Sequence, residues 1–288
     1  NNEIGTIQPI EEIAEISRLH HIVFHSDAAQ SCGKIKTDVR NGPDLLSVAG
    51  HKLYAPKGIG ALYIKEGLHP EKLMHGADHE RNMRPGTENV LEIVGLGKAC
   101  EVAHKNLDAN FRHMKQLRDK LYENIRSAIP QCHLNGHPDK RLPNTLSLSF
   151  PDIEANLILN EMTDRGIAAS AGAACHTESI YVSPVLTAIQ LEERYAMGTV
   201  RLSTGRFNTM EEIEQASKII IEIVKKLSPK VTEPTTIKPH TEIKLTHYTQ
   251  GMGCACKLRP QELEKLLKTL PISSDPNILI DAQNSDDA

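Results

Sequence analysis

At 288 residues the chain is long enough to bury one large core or two modest ones. Charged residues make up 24% and the formal net charge is -4, which leaves no basic footprint for nucleic acid and no polybasic patch for a membrane surface. No window approaches the roughly 18 consecutive apolar residues of a membrane span, and the opening NNEIGTIQPI has neither the charged nor the apolar region of an export signal, so a small molecule is the expected ligand class.

Position 1 is Asn, and the chain starts as though inside a structured element, so the sequence is expected to be a piece of a longer protein. Residues 11–19, EEIAEISRL, carry apolar positions at helical spacing and predict a helix. HIVFHSDAAQ follows as a short apolar run ending in polar residues, which predicts a strand. PDLLSVAGHKLYAPKGIGALYIK then gives two strand-like runs around a loop punctuated by Gly and Pro. Strands alternating with helices imply an α/β sheet. Its ligands are expected at the carboxyl ends of the strands, where Asp27, Gln30, His51 and Lys52 fall.

From about Asn110 the texture changes. A long amphipathic stretch, FRHMKQLRDKLYENIRSAI, precedes strand-like NTLSLSF and helical ANLILNEMTDRG, which predicts a second, smaller α+β domain. It closes on TMEEIEQASKIIIEIVKKL, with Thr209 as N-cap, acidic residues in the first turn and lysines in the last. SPKVTEPTTIKPHTE reads as a linker, and a short further segment with a proline-initiated helix, PQELEKLLKTL, lies beyond it. The expected division is 1–108, 109–228, a linker over 229–242, and 243–288.

The six cysteines are Cys32, Cys100, Cys132, Cys175, Cys254 and Cys256. Most are scattered, which excludes a dense disulfide framework and fits a reducing, cytoplasmic setting. Cys32, Cys100 and Cys132 lie in or near apolar segments and are expected to pack. Cys175 sits in SAGAACHTES, where small residues leave a thiol accessible and His176 favours the reactive thiolate. In GHKLYAPKG, Lys52 at a strand end beside a glycine-rich loop has the character of a Schiff-base lysine, and Asp27 in HSDAAQ that of an acid facing a pyridinium nitrogen. A solvated lysine and a helix-capping aspartate are the competing readings of those two residues.

Taken together, NNEIG, HSDAAQ, GHKLYAPKGIGALY, HGADHERNMRPGTEN, SAGAACH and VRLSTGR, in that order over residues 1 to about 228, resemble the class V pyridoxal phosphate enzymes of the cysteine desulfurase and selenocysteine lyase group. The resemblance implies fold type I: part of a large domain with a mixed, mostly parallel sheet, and a smaller α+β domain. It implies that Lys52 binds the cofactor and moves the substrate's Cα proton, Asp27 pairs with the ring nitrogen, Gln30 with the phenolic oxygen, and His51 lies near the phosphate. It implies a homodimer in which Thr87 reaches the other subunit's cofactor. Asn2 and Arg201 would hold the substrate carboxylate, and Cys175 would accept sulfur or selenium as alanine forms. Desulfurases of this group commonly place serine where this chain has Ala49; that, the proline of RPGTEN and the GAACH loop tilt the expected substrate toward selenocysteine. Stacking and further phosphate-binding residues of the fold would lie upstream, so the piece alone is expected to be inactive.

GMGCACKLRP, residues 251–260, has four readings: a zinc site lacking its second ligand pair, a strained disulfide, a disordered tail, or part of a second enzyme. LTHYTQGMGCACKLRPQELEKLL, DPNILI and DDA resemble the start of selenophosphate synthetase. That resemblance implies catalytic roles for Cys254 and Lys257, and Asp287 as a ligand of magnesium bound with ATP. The whole then reads as a selenium-releasing enzyme fused to the beginning of a selenium-activating one.

Overall fold

A computed structural model describes residues 1–176 and 179–228, with the backbone alone given for 173–176 and 179–181. The described residues belong to one compact unit. The expected linker and the whole 243–288 segment, including Cys254, Lys257 and Asp287, lie outside the described residues.

The first lobe begins with helix α1 (Ile10–Leu19), close to the span its periodicity predicts. It buries only Ala14, while Ile16 and Leu19 face outward. Strands β1 (His25–Asp27), β2 (Leu45–Ala49) and β3 (Gly60–Ile64) form a mixed sheet in that order. β1 is shorter than its apolar run suggests, and Ile22 and Val23 are exposed ahead of it. The β1–β2 pair is parallel, with Asp27 opposite Ser47, and β2–β3 is antiparallel. A short turn of helix α2 (His79–Asn82) leads into the RPGTEN loop and helix α3 (Val90–Lys105), whose first turn is capped by Asn89. Leu96 and Ala103 of α3 pack against Leu53.

Helix α4 (Leu107–Ala128) starts the second lobe and contains most of the predicted amphipathic stretch. β4 (His133–Leu134), β5 (Thr145–Ser149), β6 (Ser170–Ala171) and β9 (Thr199–Ser203) form an antiparallel sheet in the order β4-β5-β9-β6. α5 (Ala155–Asp164), α6 (Pro184–Ala188), α7 (Glu193–Ala196) and α8 (Met210–Leu227) complete the lobe, and β7 (Ala173–His176) pairs with β8 (Ser179–Val182) as a separate hairpin.

Strand alternation divides the lobe into two faces. Leu146 and Leu148 of β5 and Val200 and Leu202 of β9 join Leu121 and Ile125 of α4, Ile158 and Met162 of α5, and Ile220 and Ile223 of α8 in one core. The intervening Ser147, Ser149, Thr199 and Arg201 occupy the opposite face, as the period of two requires. Ser147, Ser149 and Thr199 are buried and their hydroxyls are paired: Asn135 Nδ2 donates to Ser147 Oγ at 3.1 Å and Ser149 Oγ at 2.8 Å, and Ser149 Oγ lies 2.6 Å from Thr199 Oγ1, while Asn135 Oδ1 has no partner among the described residues. The N-terminal segment lies along residues 135–142: Leu142 N–H donates to Gly5 O, Ile7 N–H to Lys140 O, and Arg141 Nη2 to Ile4 O at 3.0 Å.

α8 ends the described unit with a reciprocal cap. Glu212 N–H donates to Thr209 Oγ1 at 3.2 Å and Thr209 N–H to Glu212 Oε2 at 3.0 Å. Glu211 and Glu212 occupy its first turn and Lys225 and Lys226 its last, matching the helix dipole at both ends. Among the described residues no helix is long and apolar enough to cross a membrane.

Removing the cap in Thr209→Ala is expected to cost about 1 kcal/mol. Emptying the core at fully buried Leu148, as Leu148→Ala, is expected to cost about 2–5 kcal/mol. Urea midpoints measured side by side check both the sizes and their order.

Candidate active site

Because β1 and β2 are parallel and Asp27 is in register with Ser47, their carboxyl ends lie side by side. Asp27 is the last residue of β1, and its Oδ1 accepts the N–H of Ala29 at 2.7 Å while the side of the residue stays exposed. β2 runs into a 3-10 turn, Gly50–Leu53, that carries His51 and Lys52. Gly50 is required by close approach: a Cβ there would lie 2.7 Å from the carbonyl oxygen of Ile59. Leu53 is 4% exposed and anchors the turn against Leu96 and Ala103, leaving His51 and Lys52 outward.

Residues 28–35 turn back over the end of β1, with the N–H groups of Ser31 and Cys32 donating to Ala28 O. Gln30 is half-buried there. Its backbone and side-chain carbonyls accept from Lys34 Nζ at 3.1 and 3.4 Å, and its side-chain NH2 has no partner among the described residues. Lys34 was not singled out by the sequence reading. Burial, and then the charge of Lys52, push its ammonium down to about 8. Lys34 and Lys52 share the lining of a small cavity with Tyr54, Asn110 and Arg206. The only sequence signal for Lys34 was its spacing four residues after Gln30.

The second lobe contributes Arg201 from the polar face of β9. Its register places it opposite Ser147 on one side and Ser170 on the other. Its Nη1 donates to the carbonyl of Asn2 at 2.9 Å and its Nη2 to Ser170 Oγ at 3.3 Å. Two residues assigned to one task, 199 positions apart, are therefore in contact, through the backbone of Asn2.

The remaining residues are less closely drawn together. Thr87 is exposed in a loop gathered by Arg84, whose guanidinium donates to the carbonyls of Pro85, Gly86 and Thr87 at 3.1–3.3 Å. Neither His51 nor Thr87 touches Asp27 or Lys52 through any hydrogen bond of the described residues. Cys175 is placed on β7 opposite Ile180, and its thiol lies outside what is described. Cys32 and Cys132 are half-buried against the two cores, as expected, and burial raises both thiols. Cys100 corrects the packing assignment: it shares the face of α3 that carries Leu96 and Ala103, yet it is exposed, because it lines an open cavity with Cys32, Leu53 and Ala103. Among the described residues no cluster of three or more His, Cys, Asp or Glu is arranged to hold a metal.

Residues 1–216 match the family model described as aminotransferase class-V. The chain belongs to the class-V aminotransferase family. It is 46% identical over 228 residues to cysteine desulfurase IscS of Methanosarcina thermophila, covering 79% of this chain and 56% of that protein. It is 40% identical over 241 residues to cysteine desulfurase NifS of Azotobacter vinelandii, covering 83% and 58%. A solved NifS-like protein superposes with a TM-score of 0.72 at 36% identity, covering 79% of this chain and 60% of the other. The chain thus spans less than three fifths of the length of these curated relatives. The fold is the class-V aminotransferase fold, type I of the pyridoxal phosphate enzymes.

The donor set at the sheet end fits that cofactor's ring. An exposed carboxylate, an amide with its NH2 available and an exposed amine, at Asp27, Gln30 and Lys52, match a basic ring nitrogen, a phenolic oxygen and an aldehyde.

Between about pH 8 and 10.5 the unfolded chain binds more protons at residue 34 than the folded one, so this group makes stability rise with pH across that window. Lys34→Met removes the rise. Urea midpoints of both proteins at about pH 7.5 and about pH 10 are expected to show the original chain gaining on the variant at the higher pH.

Proposed function

We propose that the chain is part of a pyridoxal phosphate enzyme that removes sulfur from L-cysteine and leaves L-alanine. The observation that carries the reading is the parallel pairing of β1 and β2, which sets the Asp27 carboxylate beside the turn bearing Lys52 at one sheet end. The kinship with desulfurases of two organisms supplies the substrate class.

When bound, the cofactor supplies an electron sink for charge developing at the substrate's Cα. Lys52 holds the cofactor's carbonyl carbon and carries the proton to and from Cα. Asp27 keeps a proton on the ring nitrogen, Gln30 donates to the phenolic oxygen, and His51 serves the phosphate. Arg201 binds the substrate carboxylate, a role suited to its planar fork, and the Asn2 carbonyl orients that fork. Cys175, as thiolate, would attack the substrate's sulfur while it is still bonded to Cβ: the S–S bond of a persulfide forms as the Cβ–S bond breaks, and its electron pair stays with the carbon skeleton, which takes up protons to become alanine.

The unit is proposed to be a homodimer, with Thr87 serving the other subunit's phosphate. Support comes from α3, which follows Thr87 directly and exposes Val90, Leu91 and Val94 together. Isolated surface apolar residues are ordinary, but a contiguous set marks an interface.

Selenocysteine is the second substrate reading, carried by Ala49 and the GAACH loop; the desulfurase relatives back sulfur better. The proposed fusion to selenophosphate synthetase, with Cys254, Lys257 and Asp287 serving ATP and magnesium, concerns residues beyond the family match, which stops at residue 216.

The test is parallel turnover of L-cysteine and L-selenocysteine by the full-length protein. Cys175→Ala is expected to lower sulfide release from cysteine about 100-fold or more, because a thiolate nucleophile is lost. Selenocysteine turnover should fall less, since selenolate leaves more readily. Arg201→Lys is expected to raise the KM for cysteine by about tenfold, through loss of the bidentate carboxylate contact. Unchanged rates on both amino acids in Cys175→Ala contradict the assignment.

A further inference from the structure

Tyr54 ends the turn that carries Lys52 and does so in a left-handed conformation, φ 65° and ψ 22°, with its N–H donating to Gly50 O. For a bulky side chain that backbone is strained and persists only where surrounding contacts hold it. The contacts come from the other lobe. The Arg206 guanidinium carbon lies 4.2 Å from the centre of the Tyr54 ring and 4.7 Å from that of Phe207. The two rings meet edge to face, 5.4 Å apart at 82°. The N–H of Arg206 donates to Tyr54 Oη at 3.1 Å. Gly205 completes the fit, since a Cβ there would lie 2.6 Å from Tyr54 Oη.

Among the described residues Arg206 makes no ion pair, so its charge is spent on the two rings and on the cavity it lines with Lys34 and Lys52. One end of this stack is two residues from Lys52; the other is five residues beyond Arg201, in the turn that follows the same strand.

We propose that Tyr54, gripped by Arg206 and Phe207, is a positioning residue that fixes the Lys52 turn relative to the Arg201 strand. The amine that works at Cα and the guanidinium that holds the carboxylate come from different lobes, and the ring stack sets their separation. The proposal rests on the pyridoxal phosphate reading above. Its consequence is that loosening the stack frees Lys52 without unfolding the chain, because a cation–π contact at an exposed site is a small part of a fold's stability.

The experiment uses the full-length protein and the variants Tyr54→Phe, Tyr54→Leu, Arg206→Lys and Arg206→Ala. Without cofactor, trace acetylation followed by mass spectrometry gives the labelling of Lys52 relative to exposed Lys57 in the same loop. Tyr54→Leu and Arg206→Ala are expected to raise that ratio about threefold or more and to lower kcat for cysteine about tenfold, as small displacements of a reacting group do. Tyr54→Phe keeps the stacked ring, and its labelling ratio should stay within about twofold of the original; Arg206→Lys, which keeps the charge but not the plane, should fall between. A ratio unchanged in both Tyr54→Leu and Arg206→Ala while the thermal midpoint drops makes the stack a structural brace and overturns the proposal. If the original protein neither takes up pyridoxal phosphate nor releases sulfide, the proposed function fails, and so does a role for the stack in that reaction; the labelling ratio separates that failure from a stack that does not hold Lys52.

Discussion

Strands β5 and β9 have to satisfy two different surroundings at once, and much of the second lobe follows from how they do it. Their leucines and valines turn toward α4, α5 and α8, where the core is nearly closed to water. Ser147, Ser149 and Thr199 turn the other way into a buried region where a hydroxyl needs a partner, and the half-buried Arg201 lies on the same face. Asn135 supplies that partnership for the serines, and the N-terminal segment supplies it for Arg201. A one-residue slip of register would exchange the two faces and bury the guanidinium in the helical core. The same rule that builds the core therefore aims Arg201, the group proposed to bind the carboxylate.

The first lobe works by a different device. Its three-stranded sheet is small and one side of several elements is uncovered, as at Ile16, Leu62 and Val94. What it does firmly is hold a turn: Gly50 lets the backbone pass close to Ile59, and Leu53 sinks into α3. His51 and Lys52 are left outward between those two anchors. The half-buried Lys34 ammonium adds like charge near Lys52, a cost that burial increases and the Gln30 carbonyls offset.

Local features of this architecture were legible in the sequence where the signal was local. The Thr209 cap needed only a threonine, a glutamate three residues on and an apolar stripe. The LSLS alternation of β5 named its own two faces, and HSDAAQ and GHK marked two strand ends. The motif order gave the family for the same reason, because several short strings had to coincide. What stayed hidden depends on distant partners. Arg206 reaches Tyr54 across 152 positions and Arg201 reaches Asn2 across 199, and no spacing rule connects them. The exposure of Cys100 was hidden because its spacing from Leu96 and Ala103 puts it on the packed face of α3, and only the fold shows that an open cavity lies beside it there. The brevity of β1 was hidden because Ile22 and Val23 look like strand residues until one sees that no described element covers them.

The central claim is that the end of the β1–β2 pair is a cofactor site organised around one amine. The direct measurement is reduction of the full-length protein with borohydride in the presence of pyridoxal phosphate, followed by peptide mapping. The account predicts one pyridoxyl group per chain, on the peptide containing Lys52. A label carried instead by Lys34 or by another lysine, or no label at all, would contradict it.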